Sequence, residues 1–534
     1  MRNKKSKNIE KAMILILMII TIAFPSFSQN NRPVSGTVSD ENGEALIGVS
    51  VQIKGTGVGV ATDINGQFNL NVANSDILVV SMIGFVSQEI PVNNKQRIDV
   101  TLLESTTELQ DIVVIGYGTV AKKDITGAIS VVKGEEINKM SISSVSNVLQ
   151  GKTTGVTVSQ SSGTPGAPAV VRIRGIGSIH GSNTPLYIVD GLPQNDIDYL
   201  NPNDIESIAI HKDASVAAIY GSRASNGIII ITTKTGSVNE TATVQYDNYL
   251  GFQSPWKRPY MLNAREFIEY KNRAADAVNA PRLLEFSTDE NIAAVMNFVE
   301  KNSGPNGTDW WNEITNNQAF IQNHNLSFSA GTKNLGIHSS LAYLDQDGII
   351  KGSEYERLSW RNNLNVKLGS KVSLKTNIGV IYEKKRVIDE NNPYTGTIFS
   401  AMTADPITPV YRSNLVEVPS FLNHIYNGYE PNNLYSLYSG ILYSNKRNPV
   451  AQIERMRQSK YETYGVKGGA DLDIKIFDFL KFNSRIGVDV VRSTTDGFQP
   501  KYVLNSFDYS STNTVINSLH SSNYFINENI LSYE

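Results

Sequence analysis

Residues 185–236 read PLYIVDGLPQNDIDYLNPNDIESIAIHKDASVAAIYGSRASNGIIIITTKTG and alternate strand with helix. PLYIVDG is a short apolar run stopped at Asp190-Gly191, a turn dipeptide. Ile205 to His211 alternates apolar and polar side chains, the pattern of a half-buried strand. Asp213 stands where it would cap a short Ala-rich helix whose end Gly221 marks. Gly227 and the run Ile228-Ile229-Ile230-Ile231 read as a strand buried on both faces. The stretch is a compact α+β unit, and nothing in it supplies an enzyme's chemistry.

The flanking residues extend this unit on its N-terminal side. ISVVKGEEI reads as a strand and a turn, and Ser144 is placed to cap a helix through Val145, Val148 and Leu149 to Gly151. Gly151-Lys152-Thr153 invites comparison with a phosphate-binding loop. That loop needs a strand before it and a helix after it, so that the helix N-terminus faces the anion. Here the order is reversed and Ser146 replaces the first glycine, so nucleotide binding is rejected. GTPGAPAVVRIRGIGSI then gives a turn and a strand carrying Arg172 and Arg174 on one face. Further upstream, residues 33–104 hold seven short β-prone runs separated by Gly, Asn and Asp turns, the spacing of an immunoglobulin-like sandwich. Asp63-Ile64-Asn65-Gly66 reads as a hairpin turn, because the glycine comes too early for an EF-hand loop. Between these units, Asp111-Ile112-Val113-Val114-Ile115 is a β-prone segment at a flexible junction, suited to adding as a strand to a partner's sheet edge.

From about residue 240 the texture changes to long alternating segments, among them AFIQNHNLSFSAG, GIHSSLAYLDQDG, RLSWRNNLNVKLG and KVSLKTNIGVIYE. Each has the length of a tilted membrane-crossing strand. Trp360, Tyr382, Tyr461 and Tyr464 are expected near segment ends, as interfacial aromatics. The links between segments alternate long and short: 254–318 is long and carries the helical pattern AREFIEYKNRAADAV, Gly331 to Gly336 is tight, and 386–460 is long again. An outer-membrane barrel alternates in this way, and a soluble sandwich has no reason to.

Composition agrees. The net charge of −3 gives no basic excess, so no nucleic-acid partner is indicated. There is no Cys, which excludes disulfides, Cys-ligated zinc and thiol catalysis. The six His residues are scattered without HExxH, and no GxSxG elbow occurs, so the reading is not an enzyme and needs no metal or cofactor. Lys and Arg before the apolar run Ala12 to Phe24, followed by Ser26-Phe27-Ser28, indicate a signal peptide cleaved near Gln29.

YIVDGLP, ESIAIHKDASVAAIYGSRASNGIIIITTKTG, DIVVIGYGTV and HNLSFSAG together resemble the SusC/RagA family of TonB-dependent outer-membrane transporters. The resemblance implies a mainly β chain divided into a signal peptide (1–28), a carboxypeptidase-regulatory-like β-sandwich (31–104), a TonB box and linker (105–125), an α+β plug (126–236) and a partial antiparallel transmembrane β-barrel (240–534). It makes Asp111 to Ile115 the TonB box. It also makes Arg172, Arg174, Gly175, Asp190 and Gly191 a plug motif of buried, charge-paired structural residues. The implied partners are TonB with its ExbB/ExbD energy source, a SusD-like surface lipoprotein, outer-membrane lipid, and a glycan or peptide substrate. The implied place is the outer membrane of a Gram-negative, Bacteroidetes-like bacterium, with sandwich and TonB box in the periplasm. About eight segments enclose too little space for a plug, whereas large plugged barrels have about 22 strands. The expectation is therefore an N-terminal fragment that does not transport alone. The competing reading is a surface adhesin built of β-domains.

Overall fold

The computed structural model describes residues 32–533 apart from 42, 57, 75, 83, 104–111, 116–117, 122–128, 141–143, 161, 213–219, 237–240, 393–395, 413–414, 423–437, 440–446 and 504–508. The expected signal peptide, Asp111, and Asp213 with its helix lie outside the described residues.

The N-terminal unit is a sandwich of seven strands: β1 (Arg32–Ser39), β2 (Ser50–Ile53), β3 (Gly59–Ala61), β4 (Gln67–Val72), β5 (Ile77–Ser81), β6 (Gln88–Pro91) and β7 (Val100–Thr101). They form sheets of order β4-β1-β7 and β3-β2-β5-β6. Alternation builds each sheet: in β4 Phe68, Leu70 and Val72 are buried while Gln67, Asn69 and Asn71 face out. The buried rows meet in a core that includes Val34, Val51, Leu78, Val80 and Val100. The Asp63–Gly66 turn carries an Asp63 Oδ1 acceptor for Asn65 N at 2.9 Å, and Gly66 has φ of 70°. It is not a hairpin turn, since it leads from β3 in one sheet to β4 in the other.

The chain then pairs β8 (Ile112–Ile115) with β9 (Gly118–Ala121). The α+β unit follows, with β10 (Ile129–Lys133), β11 (Val156–Ser159), β12 (Val170–Ile173), β13 (Leu186–Val189), β14 (Leu192–Gln194), β15 (Ile205–His211) and β16 (Ile228–Thr233). Five of these make a sheet of order β10-β15-β16-β13-β14, and β11 pairs with β12. Ile228 to Ile231 are all at most 2% exposed, with Ile229 and Ile231 in one core and Ile228 and Ile230 in another. β15 departs from the half-buried expectation. Ile208, Ala209, Ile210 and His211 are all buried, because β15 lies between β10 and β16 with a core on each face. ISVVKGEEI runs directly from strand into the helix Gly134–Asn138. Ser144 does precede the helix Val145–Val148, but its side chain does not cap it. Asp198, distant in sequence, accepts the Ser146 backbone N–H at 2.9 Å and the Ser144 hydroxyl at 2.7 Å instead.

The largest sheet has eight antiparallel strands: β17 (Thr243–Gln253), β18 (Ala319–Gly331), β19 (Leu335–Asp347), β20 (Glu354–Leu368), β21 (Val372–Arg386), β22 (Lys460–Phe477), β23 (Leu480–Gln499) and, after a small pair β24 (Tyr502–Val503) and β25 (Tyr509–Ser510), β26 (Thr514–Tyr533). Links alternate in length as expected, with only Asp478-Phe479 between β22 and β23. Among the described residues, β17 and β26 each pair with one neighbour in this sheet, which is open at both edges. One face carries the registered row Tyr246, Leu326, Leu341, Trp360, Val380, Val466 and Val490. The adjacent row on the other face reads Gln245, Ser327, Ser340, Arg361, Gly379, Lys467 and Asp489. An apolar face toward lipid and a polar face toward a lumen is the chemistry of a membrane barrel wall. Trp360 lies in the middle of β20, within the apolar row, and is not an end-of-strand aromatic. Tyr382 and Tyr464 pair near the long-link end, their ring centroids 5.0 Å apart. No helix among the described residues is long and apolar enough to cross a membrane.

The long links fold together. The helix Ala264–Ala277 begins with a reciprocal capping box between Asn263 and Glu266. Phe286, Val295 and Phe298 of the first long link share a core with Ile407 and Leu422 of the second. Trp310 and Ile314 likewise pack with Ile388, Ala401 and Ile453.

Candidate functional site

The α+β unit meets the polar face of the wall, and the meeting point is built from the Asp190-Gly191 turn. Val189 pairs with Leu192, leaving two residues to reverse the chain. Both have positive φ, 48° and 85°, the type I′ geometry that Asp-Gly favours. This aims the Asp190 carboxylate back at β16, where it accepts Thr233 N at 2.8 Å and Thr233 Oγ1 at 2.8 Å. Its Oδ2 also receives Arg361 Nη1 from β20 at 3.0 Å, in a pair whose side chains are only 7% and 12% exposed. Arg485 of β23 donates to the Gly191 carbonyl at 3.2 Å while held by Asp471 at 2.6 Å. Two wall arginines on different strands therefore grip one tight turn.

Further polar contacts surround the grip. Asn363 donates to Thr233 Oγ1 and to the Lys234 carbonyl, each at 2.7 Å. Asn201 donates to Asn325 at 2.8 Å, and Lys467 to Gln194 at 3.1 Å. Arg357 donates to the Asp198 carbonyl. All these wall groups lie on the inward parity of their strands, so alternation alone decides which side chains reach the plug.

At the long-link end, plug, wall and long links line a cavity of about 560 Å³ that is open on one side. Its plug side includes Ser162, Gly163 and Gly166, and its wall side Tyr355 and Arg357. Glu390 and Trp256 come from the long links, and Trp256 stands 98% exposed. Gly166 has φ of 69° and sits against the Tyr355 ring, so a Cβ there would lie 2.5 Å from it. Burial pushes the Asp198 carboxyl above its ordinary value of 3.8, against the opposing hydrogen bonds from Ser144 and Ser146.

A family profile described as TonB-dependent Receptor Plug Domain matches residues 121–228, and one described as CarboxypepD_reg-like domain matches residues 34–114. The TonB-dependent receptor SusC of Bacteroides thetaiotaomicron is 33% identical over 510 residues, covering 92% of this chain and 47% of that one. The chain belongs to the SusC/RagA family of TonB-dependent receptors. The TonB-dependent receptor P26 of Formosa agariphila is 38% identical over 386 residues, 71% of this chain and 37% of its own. Among solved structures, the RagAB peptide importer in its open-open state superposes with a TM-score of 0.62 at 22% identity, covering 78% of this chain and 46% of that one. That likeness is one of fold. The chain spans about half the length, or less, of the curated relatives it matches. The family is one of outer-membrane β-barrel receptors and transporters, which are not enzymes.

In this receptor the anticipated plug motif divides. Asp190 and Gly191 are in the grip. Arg172, on β12, is only half-buried, and Arg174 is exposed with φ of 57°, next to Gly175 at 92°. The expectation of burial is thus overturned for Arg174, while Arg172 is buried in part. They follow Val171 at the end of a two-stranded sheet, outside the central one. Arg361 and Arg485, which pair with Asp190 and Asp471, belong to the wall. Reading 361 and 363 as inward in WRNNLNV, opposite Trp360 and Leu364, would have found Arg361 and Asn363. No local signal marks Arg485 as a plug contact. Of the expected TonB box, Ile112 to Ile115 form β8.

Proposed function

We propose that this chain is the N-terminal part of an outer-membrane importer. It would take up glycans or peptides too large for porins, driven by TonB and assisted by a SusD-like lipoprotein over the long links. The observation that carries the reading is the double grip of Arg361 and Arg485 on the Asp190-Gly191 turn: an α+β plug held by a polar wall whose opposite face is apolar. Such an arrangement closes a pore at rest and opens it when the plug is displaced. The segment Ile112–Ile115 supplies the handle, since an extended strand binds a partner through backbone hydrogen bonds. TonB would pull there from the periplasm, using energy passed on by ExbB and ExbD. The relatives named above are receptors of this kind, and the RagAB structure is titled a peptide importer. These roles belong to the whole receptor, of which eight wall strands are described here. The test is growth on oligosaccharide or peptide as sole nutrient in cells carrying the full-length gene. Val113→Pro and Val114→Pro should each abolish TonB-dependent growth with surface level unchanged. Growth at the unsubstituted rate in both variants sinks the assignment.

A further inference from the structure

Three successive cross-strand pairs of β22 and β23 read Lys467–Asp489, Gly469–Gly487 and Asp471–Arg485, and strand parity puts all six residues on the inward face. The first and third are ion pairs, at 2.7 and 2.6 Å, with side chains no more than 18% exposed. The glycines between them carry no side chain, so the wall has a notch bounded by an ion pair on each side. Leu192 of the plug, 4% exposed, fills it. Its Cδ1 lies 3.1 Å from where a Cβ of Gly469 would stand, and a Cβ at Gly487 would run into its Cδ2. On either side of this knob the plug makes one polar contact with each bounding pair: the Gly191 carbonyl with Arg485, and Gln194 with Lys467.

This seat is built to be left. When Leu192 withdraws, Lys467 keeps Asp489 and Arg485 keeps Asp471, so no charge is stranded on the wall. The loss is two hydrogen bonds to neutral acceptors and the burial of one leucine. β14, which carries Leu192, is also an edge strand of the plug sheet. The contacts toward β19 and β20 are of another kind. Gly236 and Gly336 cross backbone to backbone, with no room for a Cβ on either. Just before the crossing, Asn363, 1% exposed, donates to Thr233 Oγ1 and the Lys234 carbonyl. Asp190, bonded to Thr233 and paired with Arg361, belongs to this group, and parting that pair would strand its charges. Gly191 is the joint between Asp190 and Leu192.

Resting on the import reading, we propose that the plug is hinged on the β19–β20 side of the wall and latched on the β22–β23 side, the latch being Leu192 in the Gly469–Gly487 notch. Gly469 and Gly487 are then positioning residues, which seat the side chain that holds the pore shut. A pull on the plug frees this latch before it disturbs the hinge, and a path opens beside β22 and β23. The notch is complete in the wall alone, so it takes Leu192 back when the pull ends.

The test is amide hydrogen exchange in the full receptor, joined to the entry of vancomycin, too large for porins, into cells that lack TonB. Leu192→Ala and Gly487→Ala should each raise exchange at the Leu192 and Gln194 amides at least about tenfold. Thr233 and Lys234, at the hinge, should stay within about threefold. The double variant should exchange about as fast as either single one, because the added methyl takes the space that Leu192 gives up, whereas independent sites would multiply to about a hundredfold. Gly487→Ala should lower the inhibitory vancomycin concentration at least about fourfold, and adding Leu192→Ala should reverse most of that. A methyl at Gly487 also crowds Ile526 of β26, and if that were the cause Leu192→Ala would give no relief. Multiplying effects, exchange at Thr233 rising in step with Leu192, or unchanged vancomycin entry overturns the latch. These readouts need neither TonB nor a known cargo, so they leave the import reading to the Val113 and Val114 variants.

Discussion

Replacing Arg361 by Ala removes one half of the grip on the plug, and the structure sets the size of the effect. The Arg361–Asp190 pair is almost fully enclosed, 7% and 12% exposed. Truncating one partner of such a pair strands the other charge, at about 3–5 kcal/mol. Asp190 keeps two donors from Thr233, and Arg485 still holds Gly191, so the loss falls nearer to one charged hydrogen bond, about 2–3 kcal/mol. At 1.4 kcal/mol per decade, local opening should become about 30- to 150-fold more frequent. Native-state hydrogen exchange reads this at Thr233, whose N–H donates to Asp190, and along Ile228 to Ile231. The amides of β2 and β5 in the separate sandwich are the internal control. Asp190→Asn in the Arg361→Ala background should recover at least half of the loss, because it removes the stranded charge. Exchange within threefold of the unsubstituted receptor, or no rescue by Asp190→Asn, refutes the grip as the plug's anchor.

Three further outcomes are expected. Trp310 is fully buried between the long links and donates to the Asp405 carbonyl at 2.7 Å, so Trp310→Ala should cost their shared core about 3–5 kcal/mol. Limited proteolysis should then cut within 254–318 and 387–459 while the wall strands persist. At Gly191, φ of 85° and an Arg485 guanidinium 2.7 Å from a would-be Cβ make Gly191→Ala destabilising by about 1–2 kcal/mol from backbone strain alone. Rising exchange at Leu192 to Gln194 would show it. Asp198 has a raised folded-state pKa and so binds its proton more tightly folded than unfolded. Its contribution is complete below 3.8 and is lost as pH rises through the folded value. Asp198→Asn, which can still cap at Ser146, should therefore gain stability relative to the unsubstituted receptor as pH increases from about 4. A constant difference across pH would exclude Asp198 as the titrating group.

The elements that the sequence announced are those whose signal is local. Asp190-Gly191 specifies its turn because two consecutive residues must take positive φ, and few dipeptides do so cheaply. Ile228 to Ile231 specify a two-sided core strand because no polar residue interrupts them. Link lengths announced the wall, since they are counted directly. The misjudged features depend on partners far along the chain. Ser144 is a good N-cap residue, yet Asp198 brings a better acceptor to the same N–H, and no local pattern shows that β15 and the preceding loop will place it there. β15 looked half-exposed because Glu206 and Ser207 are polar, while the second face of its C-terminal half is covered by a core assembled from other strands.

The arginines teach the same lesson from the charge side. Arg172 and Arg174 drew attention because two like charges at alternate positions look deliberate, but among the described residues β12 pairs with β11 outside the central sheet, and it leaves Arg172 half-buried and Arg174, just past its end, exposed. Arg361 looked ordinary in WRNNLNV. Its importance comes from register: Ser340, Arg361, Gly379, Lys467 and Asp489 are in line across five strands, and Gly379 beside Arg361 leaves room for the guanidinium to reach Asp190. A membrane wall must put its polar residues on one parity and its apolar residues on the other. The charged residues able to hold a plug are therefore those on the parity opposite the apolar row, as Arg361 follows Trp360 and stands opposite Gly379, the neighbour of Val380. Their function is hidden in hydrophobicity averages and recoverable from parity once the strands are set in register.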